Sequence, residues 1–147
     1  MKRFHFSLRA VAVMRRHREL GARLALAGAN QACAQAEARR FQALARAGET
    51  AGAIASGRSG SFRAGDQAVF VAAHRRECAA VADAEAAAAA ARAEVARRRE
   101  ECIEASRQLK VITRLEEKAR AAHRAAVLAG EQQQLDEIGV GRKRIGI

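Results

Sequence analysis

The sequence has no tryptophan, no tyrosine and no proline, and five phenylalanines are its only aromatics. Without proline, nothing in the covalent chain forces a helix to stop. Apolar bulk is also scarce, since 39 of the apolar residues are alanine against 31 Val, Ile, Leu, Met and Phe. Burying a large apolar side chain is worth roughly 1.5–3 kcal/mol, and an alanine methyl much less. A compact globule would therefore be poorly driven. Alanine with Arg, Glu, Leu and Gln is instead the composition of long helices that share a narrow seam.

Acidic residues are few, 16 against 27 Lys and Arg, which leaves a net charge of +11. The imbalance is local: residues 1–30 carry seven basic and one acidic side chain, whereas residues 61–90 carry three and four. Such a patch suits nucleic acid, anionic lipid or an acidic protein surface, and charge alone does not choose among them. Cysteines number three, Cys33, Cys78 and Cys102, too far apart for a C-x-x-C or a zinc spacing. His74 and Cys78 lie four apart and are spaced to share a metal. We read them instead as a helix-face histidine and a small half-buried thiol, with no metal or cofactor expected, in a reduced cytosolic protein.

Long hydrophobic runs are missing too. Arg9 divides the apolar opening MKRFHFSLRAVAVM, and Arg15, Arg16 and Arg18 follow where a signal peptide would place small residues. No segment reaches the ~18 apolar residues of a membrane span. The alanine run near 79–96 is interrupted by Asp83, Glu85, Arg92 and Glu94.

Counting in sevens from Phe6 gives Val13, Leu20, Ala27, Ala34 and Phe41, with Ala10, His17, Leu24, Gln31, Ala38 and Ala45 as the companion row. This heptad pattern predicts a first helix over about 6–47, with Gln31 either a polar residue that sets register within the seam or one whose amide snorkels out to water. Arg15 is then expected to point away from the seam, Arg9 and Arg16 to flank it, and Arg18 to lie outside. GETAGAIASGRSGSFRAG, residues 48–65, holds five Gly and three Ser and predicts a hinge on which Ile54 and Phe62 pack. A second helix is expected over about 66–138 with Asp66 as N-cap, followed by a basic tail over 139–147. Its seam reads Val81, Ala88, Val95, Cys102 and Leu109 with Ala84, Ala91, Arg98, Ala105 and Ile112. The phase then shifts through Leu115, Ala119 and Ala122 and recovers at Leu128, Leu135 and Ile138. The fold class is all-α: two long antiparallel helices forming a coiled-coil hairpin, with facing residue numbers summing to roughly 105–125.

Two stretches go further. The opening F-x-F-S-L-x-A-V continuing into R-R-H-R-E, and the closing E-Q-Q-Q-L-D-E-I (131–138) followed by basic residues, resemble the FliJ family. That family is the small coiled-coil component of the flagellar type III export apparatus, which serves flagellum biogenesis and motility. The resemblance implies a central stalk inserted into the hexameric flagellar export ATPase. It also implies contact with the cytoplasmic region of the export gate, cycling of export chaperones, and a place at the cytoplasmic face of the inner membrane. Carried onto this chain, it implies a basic ATPase-ring contact at Arg9, Arg15, Arg16, Arg18, Arg142, Lys143 and Arg144. It implies a gate contact on the stripe Phe70, His74, Glu77 and Val81, of which only Phe70 and Val81 are apolar.

No catalytic set emerges. G-R-S-G lacks the lysine and the preceding strand of a phosphate loop, and a two-helix hairpin encloses no pocket in which carboxylates would be shifted. The chain is read as a binding protein and not an enzyme. Its alternatives are a stalk or adaptor of a virulence secretion system and a basic nucleic-acid-binding coiled coil. Against the latter, no aromatic outside the seam interleaves with the basic residues except Phe4.

Overall fold

The computed structural model describes residues 3–58, 60 and 63–145, with the side chains of 58, 64 and 140–145 excepted. Two helices, α1 (Arg9–Arg58) and α2 (Ala64–Ile145), pack against each other as an antiparallel hairpin, and the described residues include no strand. Contacts gather the chain into two units, one of residues 1–20 with 103–147 and one of residues 21–102.

Both helices outrun the sequence expectation. The hinge shrinks to 59–63, because Gly48, Gly52 and Gly57 all stay helical. Glycine is a poor helix former, but tertiary packing of a helix face outweighs propensity. Here Ala47, Thr50 and Ile54 are half-buried and Gly57 is buried, so the seam persists through the glycine-rich stretch. Phe62 lies outside the described residues. α2 begins at Ala64, and the carbonyl of Arg63 accepts from the N–H groups of Asp66 (3.0 Å) and Gln67 (3.3 Å). Asp66 is thus not the N-cap. It sits in the first turn, where its charge opposes the positive end of the helix dipole. α2 also runs through the expected tail as far as Ile145.

In the second unit, α1 turns Ala22, Leu26, Ala29, Cys33, Ala36, Arg40, Ala43, Ala47, Thr50, Ile54 and Gly57 inward, alternately three and four apart. α2 answers with His74 and Glu77, and then with Val81, Ala84, Ala88, Ala91, Val95, Arg98 and Cys102, which are the seam read from the sequence. Ala43 and Ala88 are fully enclosed. Cross-helix contacts join Thr50 to His74, Arg46 to Glu77 and Arg92 to Glu37.

In the first unit the same spacing brings in Ala12, Arg15 and Glu19 from α1, and Ala105, Leu109, Ile112, Glu116, Ala119 and His123 from α2. Arg15 bonds Gln108, and Ser106 donates to Glu19 at 3.3 Å. In both units the facing pairs carry residue numbers summing to 123–132, at or just above the top of the expected range, because α1 runs on to Arg58.

The α1 register differs from the expected one. Val13, Leu20, Leu24 and Phe41 are 44%, 54%, 66% and 63% exposed, and the true seam runs one residue earlier in its first row. The expectation ranked positions by side-chain size. The chain instead fills the seam with Ala, Cys and Gly, which let backbones approach closely, and with polar groups that find partners on α2. Gln31 is exposed, so it does not set register from within the seam. On α2 the seam holds its phase beyond Ile112 through Glu116, Ala119 and His123. Leu115, Leu128, Leu135 and Ile138 are exposed.

Candidate functional site

The first unit carries an open cleft on its surface. Residues 3–6 are not helical, and the chain enters α1 through a turn in which the Arg9 N–H donates to the Phe6 carbonyl at 3.2 Å. This lays Phe4 against α2, edge-on to His123 with ring centroids 5.5 Å apart, and the Arg120 guanidinium lies over the Phe4 ring at 5.5 Å. Arg120 also donates to Glu116 Oε1 at 2.7 Å, while Arg16 Nη2 stands 3.6 Å from Glu116 Oε2. Together they bound an open cleft of about 460 Å³ lined by Phe4, His5, Phe6, Arg9, Ala12, Val13, Arg16, Glu116 and Arg120.

Of the basic residues singled out from the sequence, Arg9, Arg16 and Arg18 are exposed in this unit. Arg15 is a correction: it lies half-buried in the seam, bonded to Gln108, because the companion row of the seam runs two residues earlier than expected, through Arg15, Ala22 and Ala29. Arg142, Lys143 and Arg144 fall in the last turns of α2, but their side chains lie outside the described residues. Sequence reasoning missed Glu116, Arg120 and His123. The run RLEEKAR (114–120) carries the signal, in opposite charges spaced to pair along the helix. Arg120–Glu116 is such a pair, and Glu116 reaches α1 as well.

The stripe Phe70, His74, Glu77 and Val81 belongs to the second unit, and there the structure corrects the expectation. His74, Glu77 and Val81 are the seam itself. Thr50 Oγ1 lies 3.0 Å from the Ala47 carbonyl and 2.9 Å from His74 Nδ1, within hydrogen-bond reach of both. Glu77 pairs with Arg46 at 3.3 Å. These side chains are engaged with α1, and only Phe70 of the four is exposed. His74 Nε2 meets the Cys78 thiol at 3.4 Å, and Cys78 is exposed rather than half-buried. Among the described residues no cluster of three His, Cys, Asp or Glu side chains could hold a metal ion.

Charge on the outer faces is organised along the helix. Glu94 accepts from Arg97 and Arg98, which hold its carboxyl down at about 2. Glu37, bonded by Arg40 and Arg92, is likewise lowered. These are solvated pairs that shape a surface and offer no reactive group. No helix among the described residues is long and apolar enough to cross a membrane.

The family model of the flagellar FliJ protein matches residues 4–142, nearly the whole chain. No curated protein and no solved structure matches.

Proposed function

The chain belongs to the FliJ family and serves flagellar type III protein export; from that premise we propose that it is the central stalk of the hexameric export ATPase. The unit bearing the N-terminal segment enters the ring through Arg9, Arg16 and Arg18, with Arg142, Lys143 and Arg144 alongside. The second unit, with Phe70 exposed, meets the cytoplasmic region of the export gate, and the hairpin cycles export chaperones. It works in the cytoplasm, held peripherally at the inner membrane by the export apparatus.

One observation carries this reading beyond the family. The exposed cations of residues 9–18 cluster on the unit formed by both chain ends, while the seam next to them is closed by polar contacts. Exposed charges contribute little to stability, typically about 0–1 kcal/mol per pair, but they steer association and set its salt dependence. Changing Arg16 and Arg18 together to Glu should leave helicity nearly unchanged. It should weaken binding to the cognate ATPase by about tenfold or more and reduce stimulation of ATP hydrolysis. Wild-type protein that bound DNA or RNA tightly near physiological salt and left the ATPase unaffected would overturn the reading.

A further inference from the structure

The cleft of the first unit holds three guanidinium groups, Arg9, Arg16 and Arg120, and one carboxylate, Glu116, a formal balance of +2 apart from His5. Both Glu116 oxygens are taken, one by Arg120 and one by Arg16. Arg120 is fixed further by the Phe4 ring beneath it. Each guanidinium carries five N–H donors in a planar fork, so Arg16 and Arg120 keep donors beyond those that Glu116 uses. Arg9 has no ion-pair partner among the described residues. It is the first residue of α1, where the positive end of the helix dipole disfavours a cation, and α1 has no acidic residue in its first turn. α2 obeys the opposite rule with Asp66. A residue that breaks a local rule without a compensating contact marks a functional position.

We propose that this cleft is a receptor for an acidic polypeptide segment, taking one Asp or Glu carboxylate on Arg9 and Arg16 and a neighbouring apolar side chain against Phe6, Ala12 and Val13. The proposal rests on the stalk reading and names the chemistry of the partner surface that meets this unit. The volume of about 460 Å³ is that of a small-ligand site and holds a few side chains. A single-charge carboxylate matches the Arg fork in bidentate fashion. A dianionic phosphate would bring a second negative charge beside Glu116, which already occupies the cleft wall. Base stacking is blocked at Phe4, whose ring is covered by Arg120 and set edge-on to His123. Charge and apolar wall together therefore favour protein over nucleic acid.

The test uses the full chain and a labelled, end-blocked hexapeptide of alternating leucine and glutamate, followed by fluorescence anisotropy. The glutamate peptide should bind at low salt and weaken as salt rises, and its glutamine analogue should bind about tenfold less tightly or worse. Arg9→Gln should weaken the glutamate peptide by about tenfold while leaving helicity unchanged, since it removes a charge that the helix start disfavours. Val13→Ser should weaken it too, and keep the preference for glutamate over glutamine. Unchanged binding by Arg9→Gln overturns the proposal, as does displacement of the peptide by equimolar inorganic phosphate or by an RNA oligonucleotide. Repeating the titration with the ATPase hexamer separates this idea from the one beneath it. If wild type takes the peptide but ignores the ATPase, the stalk reading falls and the cleft stands. If the ATPase binds wild type and Arg9→Gln alike, the cleft falls and the stalk reading stands.

Discussion

Single residues in this chain act mostly at the surface, and two of them make the point in opposite directions. Gly28 lies mid-helix in α1, and a Cβ placed on it meets nothing within 4 Å. Its backbone conformation is open to any L-residue, since no glycine among the described residues has a positive φ. Gly28→Ala should therefore stabilise the hairpin by about 0.8–1.0 kcal/mol, a rise in melting temperature of roughly 3 °C. No rise would show that Gly28 has a contact outside this chain's own fold. Glu94 makes the converse case. Its carboxyl lies at about 2 in the folded chain against an ordinary 4.5, chiefly through the bond from Arg97 and then that from Arg98. A depressed folded value adds stability above the unfolded value, and that stability is lost as pH falls through the folded one. The contribution is thus complete above pH 4.5 and gone near pH 2. Glu94→Gln should flatten the fall in melting temperature across that window, and unchanged curvature would count against the pairing.

At the scale of the helices, legibility depended on where the large side chains fall. On α2 from Val81 to Ile112 the counted rows coincide with the seam, with Val81, Val95, Leu109 and Ile112 half-buried, whereas Leu115, Leu128, Leu135 and Ile138 beyond them are exposed. On α1 they do not, and Val13, Leu20, Leu24 and Phe41 drew the count one or two residues off. The true positions, from Ala12 and Glu19 to Arg40 and Ala43, pack by smallness or by polar pairing, which no scale of apolar bulk rewards. Glycine content likewise overstated the hinge, because packing through Gly57 holds a stretch that local propensity would release. Register is now specific enough to test. Thr50 and His74 share a layer with numbers summing to 124, and by that rule Cys33 faces position 91. With Cys78 and Cys102 changed to Ser, Ala91→Cys should form a disulfide with Cys33 under mild oxidation. Ala80→Cys, the partner expected from a hinge centred at residues 48–65, should not. The reverse result would restore the wider hinge.

Across the whole molecule, burial is thin. The fully buried apolar residues are Ala12, Ala43 and Ala88, and no large side chain is completely enclosed among the described residues. Such a chain is held by a long seam of small contributions, so a partner that grips the folded hairpin should add visibly to its stability. Binding to the folded state alone contributes about 2.7 kcal/mol when free partner stands at a hundred times its dissociation constant. For a chain of this size that is a rise in melting temperature of roughly 5–10 °C. The candidate site was only half legible for the same reason the fold was. Arg9, Arg16 and Arg18 stood out as local charge, whereas Glu116, Arg120 and Phe4 became a site only when the chain folded back on itself. A contact built on these cations is electrostatic in its approach, and exposed charges are screened beyond about 8 Å at physiological salt. If the chain is the stalk proposed above, the thermal shift that the export ATPase produces should therefore shrink as salt rises, and association should slow more than dissociation quickens. Differential scanning fluorimetry of the hairpin with and without the ATPase, over a salt series, reads the shift, and stopped-flow mixing over the same series reads the two rates. A shift that persists undiminished at high salt would mean that the ATPase holds the chain through its exposed apolar residues, Val13 and Leu20 among them, and not through the arginines.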